Sequence, residues 1–173
     1  MASSATQEPP PPAIHTISAL VANKPGVLAR IAQVFARRGF NIESLVVSPA
    51  KEGERSRMTI GASGDRDGLQ QIIAQVNKLV DVLHCFDHTF DNAVVKELAL
   101  VKVFVDAEQR TEALQIASHF ECQTVDLTEH SVIIMATGGS GKIDSLIHMM
   151  RKFSIVELVR TGKVVMVRGQ EPT

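Results

Sequence analysis

The order in which two periodicities alternate along this chain constrains its fold more than any other property. Residues 14–22 (IHTISALVA) are β-branched and apolar and read as a strand. Asn23-Lys24-Pro25-Gly26 is a turn, with Pro25 placed where a helix's first turn tolerates a missing N–H. Over 27–38, Leu28, Ile31 and Phe35 share a helical face with Val27 and Val34 beside it, and Gly39 ends the helix. Strands follow at 41–48 and 56–62 across the polar hairpin 50–54, then a helix marked by Leu69, Ile72, Ile73, Val76, Leu79 and Val80, and a short strand at 82–88.

The second half repeats the order more loosely. Strands are expected at 97–105, 122–127, 132–136, 155–161 and 164–167, and helices at 110–120 and 143–153. In the first of these helices Ala113, Leu114, Ala117 and Phe120 point inward. Two βαββαβ passes predict an α+β chain of two ferredoxin-like units. The divisions are a flexible proline-rich tail at 1–12, a first unit at 13–89, a linker at 90–96 and a second unit at 97–173. Both helices of such a unit cover one sheet face. The other is expected to be apolar and to need a partner, which predicts a homodimer.

Bulk properties remove several function classes. The 173 residues are 45% hydrophobic and 21% charged, enough for a packed core. Aromatic content is 4%, all Phe, so that core must be aliphatic. A net charge of -1 without any Lys/Arg run gives no reason to expect nucleic acid or an anionic membrane. No apolar run approaches the ~18 residues a membrane helix requires, and the N-terminal segment lacks the pattern of a secretory signal. Cys85 and Cys122 fit no metal or redox spacing and read as free thiols of a reducing compartment. A cytoplasmic protein is the expectation.

Three motifs bear on chemistry. Thr137-Gly138-Gly139-Ser140-Gly141-Lys142 has the place of a phosphate loop, but Ala136 stands where the first Gly belongs and Ile143 where the magnesium-binding hydroxyl belongs. His84 and His88 share a strand face, yet two imidazoles do not close a metal site. His15, His119, His130 and His148 have no spaced partners that indicate a triad. No catalytic or metal residue is therefore nominated. The third motif, residues 23–31 (NKPGVLARI), joins a strand to a helix. Gly26 allows close backbone approach, and the helix start presents bare N–H groups and a positive dipole end to a carboxylate.

That third motif resembles the signature turn of ACT domains, the small-molecule sensors of amino-acid metabolism. Further along, 35–45 (FARRGFNIESL), 56–60 (SRMTI), 77–82 (NKLVDV), 97–103 (ELALVKV) and 160–162 (RTG) are similar, in order, to acetohydroxyacid (acetolactate) synthase regulatory subunits. The resemblance implies an ACT domain followed by an ACT-like domain, without an active site of its own. It implies a homodimer whose paired ACT units bind a branched-chain amino acid, valine foremost with leucine and isoleucine as alternatives. It implies a catalytic-subunit partner carrying thiamine diphosphate, magnesium and FAD, activated by this chain and feedback-inhibited through it in valine, leucine and isoleucine biosynthesis. The alternative is an ACT-type sensor serving a different metabolic enzyme.

Carried onto these positions, the resemblance gives Gly26, Val27 and Leu28 as N–H donors to the effector carboxylate, after Pro25. It gives Asn23 and Asn41 as ligand-contacting amides and Ile42 as pocket lining. Read from the residues alone, Asn23 is a cap or turn residue and Asn41 a strand-entry turn. Ser56, Arg57 and Met58 are associated with the catalytic partner, against a plain reading of Met58 as core and Arg57 as a solvated charge.

Overall fold

The structure, a computed structural model, describes residues 14–51, 53–170 and 173. The tail expected at 1–12 lies outside the described residues. The first unit is built from β1 (Ile14–Ala22), α1 (Val27–Arg37), β2 (Asn41–Pro49), β3 (Arg55–Ser63), α2 (Arg66–Val76) and β4 (Val82–Asp87). The second comprises β5 (Ala93–Phe104), α3 (Ala107–His119), β6 (Gln123–Leu127), β7 (Ser131–Gly138), α4 (Ser140–Met150), β8 (Ser154–Arg160) and β9 (Val164–Val167). The sheet orders are β2-β3-β1-β4 and β6-β7-β5-β8, with every pairing antiparallel. Both units are therefore ferredoxin-like, as the repeated βαββαβ order requires.

Each unit has its own core. In the first, Ile17, Ala19 and Val21 of β1 meet Ile31 and Phe35 of α1 and Leu69 and Ile72 of α2. In the second, Ala99, Val101 and Val103 of β5 meet Ala113 and Ala117 of α3 and Ile143 and Leu146 of α4. Leu114 and Phe120 only flank that core as partly buried side chains.

Three departures from the sequence reading have local causes. The second helix stops at Val76, and Val80 is 99% exposed rather than part of an apolar face. The side chain of Asn77 explains the stop: its Nδ2 donates to Cys85 O at 3.0 Å, and its Oδ1 accepts from Cys85 N at 2.8 Å. The amide thus stands in for a strand neighbour along the edge of β4. Second, β5 begins at Ala93, inside the segment read as a linker, because Ala93 to Lys96 pair with Val164 to Val167. Third, the open face of the first sheet is not uniformly apolar. Opposite the helices lie Thr16, Ser18, Leu20, Arg57, Thr59, His84, Phe86 and His88, as the pairing register dictates. On the second sheet Leu98, Leu100, Ile133, Met135 and Val159 share the open face with Lys102 and Glu157.

The units touch where the β8–β9 turn meets β2. The Cα of Gly162 lies so close that an added Cβ would sit 2.9 Å from Ser44 Cβ and 3.1 Å from Val46 Cγ2. A crevice of about 420 Å3 lies beside this contact, lined by Glu43 and Ser44 from one unit and Glu97, Asp144, Arg160 and Lys163 from the other.

Candidate functional site

The turn between β1 and α1 is shaped by glycine. Gly26 is the N-cap of α1 with φ 83° and ψ -8°, a left-handed conformation that a Cβ would strain. No side chain caps this helix start, Asn23 included. Asn23 is exposed: its N–H donates to Glu54 O at 2.9 Å, and its Nδ2 reaches Gly53 O at 3.4 Å. Its amide is thus largely free to meet something else. Pro25 is exposed beside it. Val27 buries its side chain in the core and donates its N–H to Lys24 O at 3.5 Å, a weak contact. Leu28 is exposed, and among the described residues no hydrogen bond is found to its N–H. Bare N–H groups at a left-handed glycine corner can receive a carboxylate.

Asn41 and Ile42 are elsewhere. Asn41 opens β2, exposed, and its Nδ2 donates to Glu43 Oε1 at 2.7 Å. Ser63 Oγ donates to the same oxygen at 2.7 Å. Those two hydrogen bonds, from Ser63 first and then Asn41, hold the Glu43 carboxyl below its ordinary range. Ile42 is half-buried against the first core. Asn41 pairs with Ser63, which pairs with Ile14 at the start of β1, whereas Asn23 follows the end of β1. One protomer therefore keeps its two asparagines at opposite ends of a nine-residue strand, a span of about 25 Å.

On β3, Ser56 and Met58 point toward the helices and are buried, Met58 within the core. Arg57 alone of the three offers its side chain, on the open face, where it donates to Thr173 O. Burial first, then the charge of Arg57, lowers the pKa of nearby His84. Burial pushes the Cys85 thiol up to about 12 and raises that of Cys122, so neither is poised as a nucleophile.

One array was not legible in the sequence. Ser18 Oγ lies 2.7 Å from His88 Nε2, and His88 Nδ1 lies 2.7 Å from Asp91 Oδ2. A carboxylate only accepts, so Nδ1 carries a proton, and in the neutral ring Nε2 accepts from the serine hydroxyl. These are the partners of a nucleophilic triad, yet Ser18 is 1% exposed in mid-strand and lines none of four cavities of about 170 to 840 Å3 among the described residues. The array instead ties the central strand to the joint between the units. Only spatial adjacency reveals it, since Ser18 and His88 are seventy positions apart.

Among the described residues no group of three or more His, Cys, Asp or Glu side chains could hold a metal ion. No described helix is long and apolar enough to cross a membrane.

Two ferredoxin-like units in tandem, the first with a glycine corner baring amides at a helix start, define a protein of the ACT regulatory class. Residues 17–84 match the model of the AHAS small subunit-like ACT domain, and residues 96–169 match that of the small subunit of acetolactate synthase. The chain is 45% identical over 157 residues to a probable acetolactate synthase small subunit of Archaeoglobus fulgidus, covering 91% of this chain and 98% of that one. It is 42% identical over 158 residues to the acetolactate synthase small subunit of Mycobacterium bovis, covering 91% and 94%. The crystal structure of the acetolactate synthase small subunit from Thermotoga maritima superposes with a TM-score of 0.82 at 36% identity, covering 92% of this chain and 99% of that one. The chain belongs to the acetolactate synthase small-subunit family.

Proposed function

We propose that this chain is a non-catalytic regulatory subunit of acetolactate synthase. It activates a catalytic subunit bearing thiamine diphosphate, magnesium and FAD, and it conveys feedback inhibition by a branched-chain amino acid, valine foremost. The relatives' names support the pairing with a catalytic subunit, and the geometry of the first unit supports the sensing role.

One observation carries the sensing role: the separation of Asn23 from Asn41 by the length of β1. β2 is an edge strand with Val47 exposed, and unpaired edges invite pairing. β2 runs parallel to β1, since both are antiparallel to β3. Antiparallel pairing of β2 with β2 of a second copy, around a two-fold axis, sets the start of one strand against the end of the other. Asn41 and Ile42 of one protomer then arrive at the partner's Asn23–Gly26 corner. The effector's carboxylate meets the N–H groups after Gly26, its ammonium meets an asparagine carbonyl, and its branched side chain rests on Ile42. Two such composite sites form per dimer.

Complementation tests this directly. Asn23→Ala and Asn41→Ala homodimers should each lose valine binding by calorimetry. After the two are mixed and exchanged, half the dimers are hybrids. Each hybrid holds one intact site and one doubly altered site. Recovery of binding in the mixture supports a site shared between protomers. No recovery from two individually dead variants places both residues in one protomer's site and refutes the reading. Co-purification of a thiamine-diphosphate enzyme with the tagged chain tests the partner separately.

A further inference from the structure

The second unit reaches the effector half-site through a single close contact. Gly162, buried in the β8–β9 turn, packs on Ser44, three residues beyond Asn41 and two beyond Ile42. Its φ is not positive, so backbone conformation does not demand glycine there. Space does: a Cβ would fall 2.9 Å from Ser44 Cβ and 3.0 Å from Ser44 Oγ. A second glycine also crowds Ser44. A Cβ at Gly61, its partner across β3, would fall 2.5 Å from Ser44 Oγ. The serine side chain thus occupies space that two glycines, one from each unit, leave open.

Both ends of this contact are braced. The pairing of β2 with β3 shifts between Ile42 and Ser44, leaving Glu43 as the extra residue, and that residue is held by Asn41 and Ser63. A short bulge thus links Asn41 to Ser44. On the far side, Thr161 N donates to Leu98 O at 2.9 Å, and Leu98 N donates to Thr161 Oγ1 at 3.0 Å. Arg160 Nε donates to Glu97 Oε2 at 2.5 Å and Arg160 Nη1 to Asp144 Oδ1 at 2.6 Å, while Ser140 Oγ donates to Glu97. The turn is thereby tied to β5 and to the start of α4. Packed contacts of this kind transmit small shifts because close-packed elements do not deform continuously.

We infer that Ser44 and Gly162 are positioning residues that couple the effector half-site at Asn41–Ile42 to the second unit. This rests on the effector reading above. Occupancy of the half-site is expected to change the stability of the β8–β9 turn, and by reciprocity the seating of the turn sets effector affinity.

Hydrogen exchange of the full-length chain, with and without saturating valine, tests the coupling. Wild type should show valine-dependent exchange at the amides of 158–163 as well as at 41–46. Gly162→Ala, which forces the units apart at this point, should keep valine binding but lose the response at 158–163. Ser44→Gly should also lose it, by leaving that space empty. The double variant Ser44→Gly/Gly162→Ala refills the space from the second unit and should recover at least part of the response, which a general loss of stability would not allow. Calorimetry on the same samples should show valine affinity shifted about five-fold or more in the single variants. An undiminished response at 158–163 in both single variants overturns the inference. So does wild type that binds valine yet responds only at 41–46, and in that case the effector site itself still stands. If wild type binds none of valine, leucine or isoleucine, the effector reading falls and this inference with it.

Discussion

Ser18 and His88 share a hydrogen bond of 2.7 Å in the interior, between the middle of the central strand and the residue that follows β4. Through His88, Asp91 is held at the entrance to the second unit. Ser18→Ala would leave His88 Nε2 buried without its donor, a loss of about 1–3 kcal/mol. Urea unfolding should show that loss with little change in m-value, and Asp91→Asn should cost less because Asp91 is half exposed. A fluorophosphonate probe should leave Ser18 unlabelled in the folded protein. Labelling there would mean that the array is reachable and is not a structural tie.

Gly26 offers a sharper functional separation. Its left-handed φ of 83° penalises any side chain by about 1–3 kcal/mol, so Gly26→Ala should lower stability by roughly that amount. Gly26→Asp adds a carboxylate beside the bare N–H groups, where it competes with an effector's acid group. The reconstituted synthase carrying Gly26→Asp should keep its activation and lose inhibition by valine. Inhibition at the wild-type concentration would place the effector elsewhere.

What the sequence made legible was what local chemistry decides. The corner at Asn23–Gly26 could be read because a turn glycine before an apolar helical face is a short-range pattern. The βαββαβ order could be read because each element carries its own period. The reading failed where a partner distant along the chain takes over. Val80 looked apolar-periodic, but the helix ends at the Asn77 cap, whose side chain bonds Cys85. Residues 93–96 looked like a joint because β9, which makes them a strand, lies some seventy positions on. Met58, open in the sequence to a partner-facing or a core reading, has its side chain in the first core. The tight packing of Gly162 leaves no trace in its local sequence, because the serine it must clear belongs to the other unit.

His84 supplies a pH dependence. Burial, then the charge of Arg57, holds its pKa below the ordinary 6.5. The unfolded chain therefore takes up a proton at a pH where the folded chain does not. Stability is complete above about 6.5, declines as the pH falls below it, and levels off once the folded imidazole also protonates. His84→Gln should flatten the decline between pH 7 and 5 in thermal unfolding. An unchanged slope would show that other groups set the acid sensitivity.

The Glu97–Arg160 pair makes an asymmetric prediction. Glu97's side chain is 4% exposed and Arg160's 32%, so the pair is half dry and half wet. Burial pushes the Glu97 carboxyl up, but hydrogen bonds from Arg160 and Ser140, with the charges of Arg160 and Lys163, outweigh it and bring it below the usual range. Glu97→Gln keeps an acceptor for Ser140 and leaves Arg160 able to reach water and Asp144, a cost of about 1–2 kcal/mol. Arg160→Met instead strands a carboxylate where water reaches it poorly. That costs more, although solvent at Arg160 keeps it toward the low end of the ~3–5 kcal/mol of a fully buried pair. At neutral pH the Arg160 variant should therefore be the less stable of the two in urea. In wild type the pair's contribution is present above the ordinary glutamate value of about 4.5 and is lost as pH falls through the depressed one. In Arg160→Met the carboxyl has lost its main support, so it takes up a proton at higher pH than in wild type. That relieves the stranded charge, and the gap between the variants should narrow on acidification toward pH 4. A gap that stays constant from pH 7 to 4 would mean that Arg160 stabilises the β8–β9 turn by packing and not by charge.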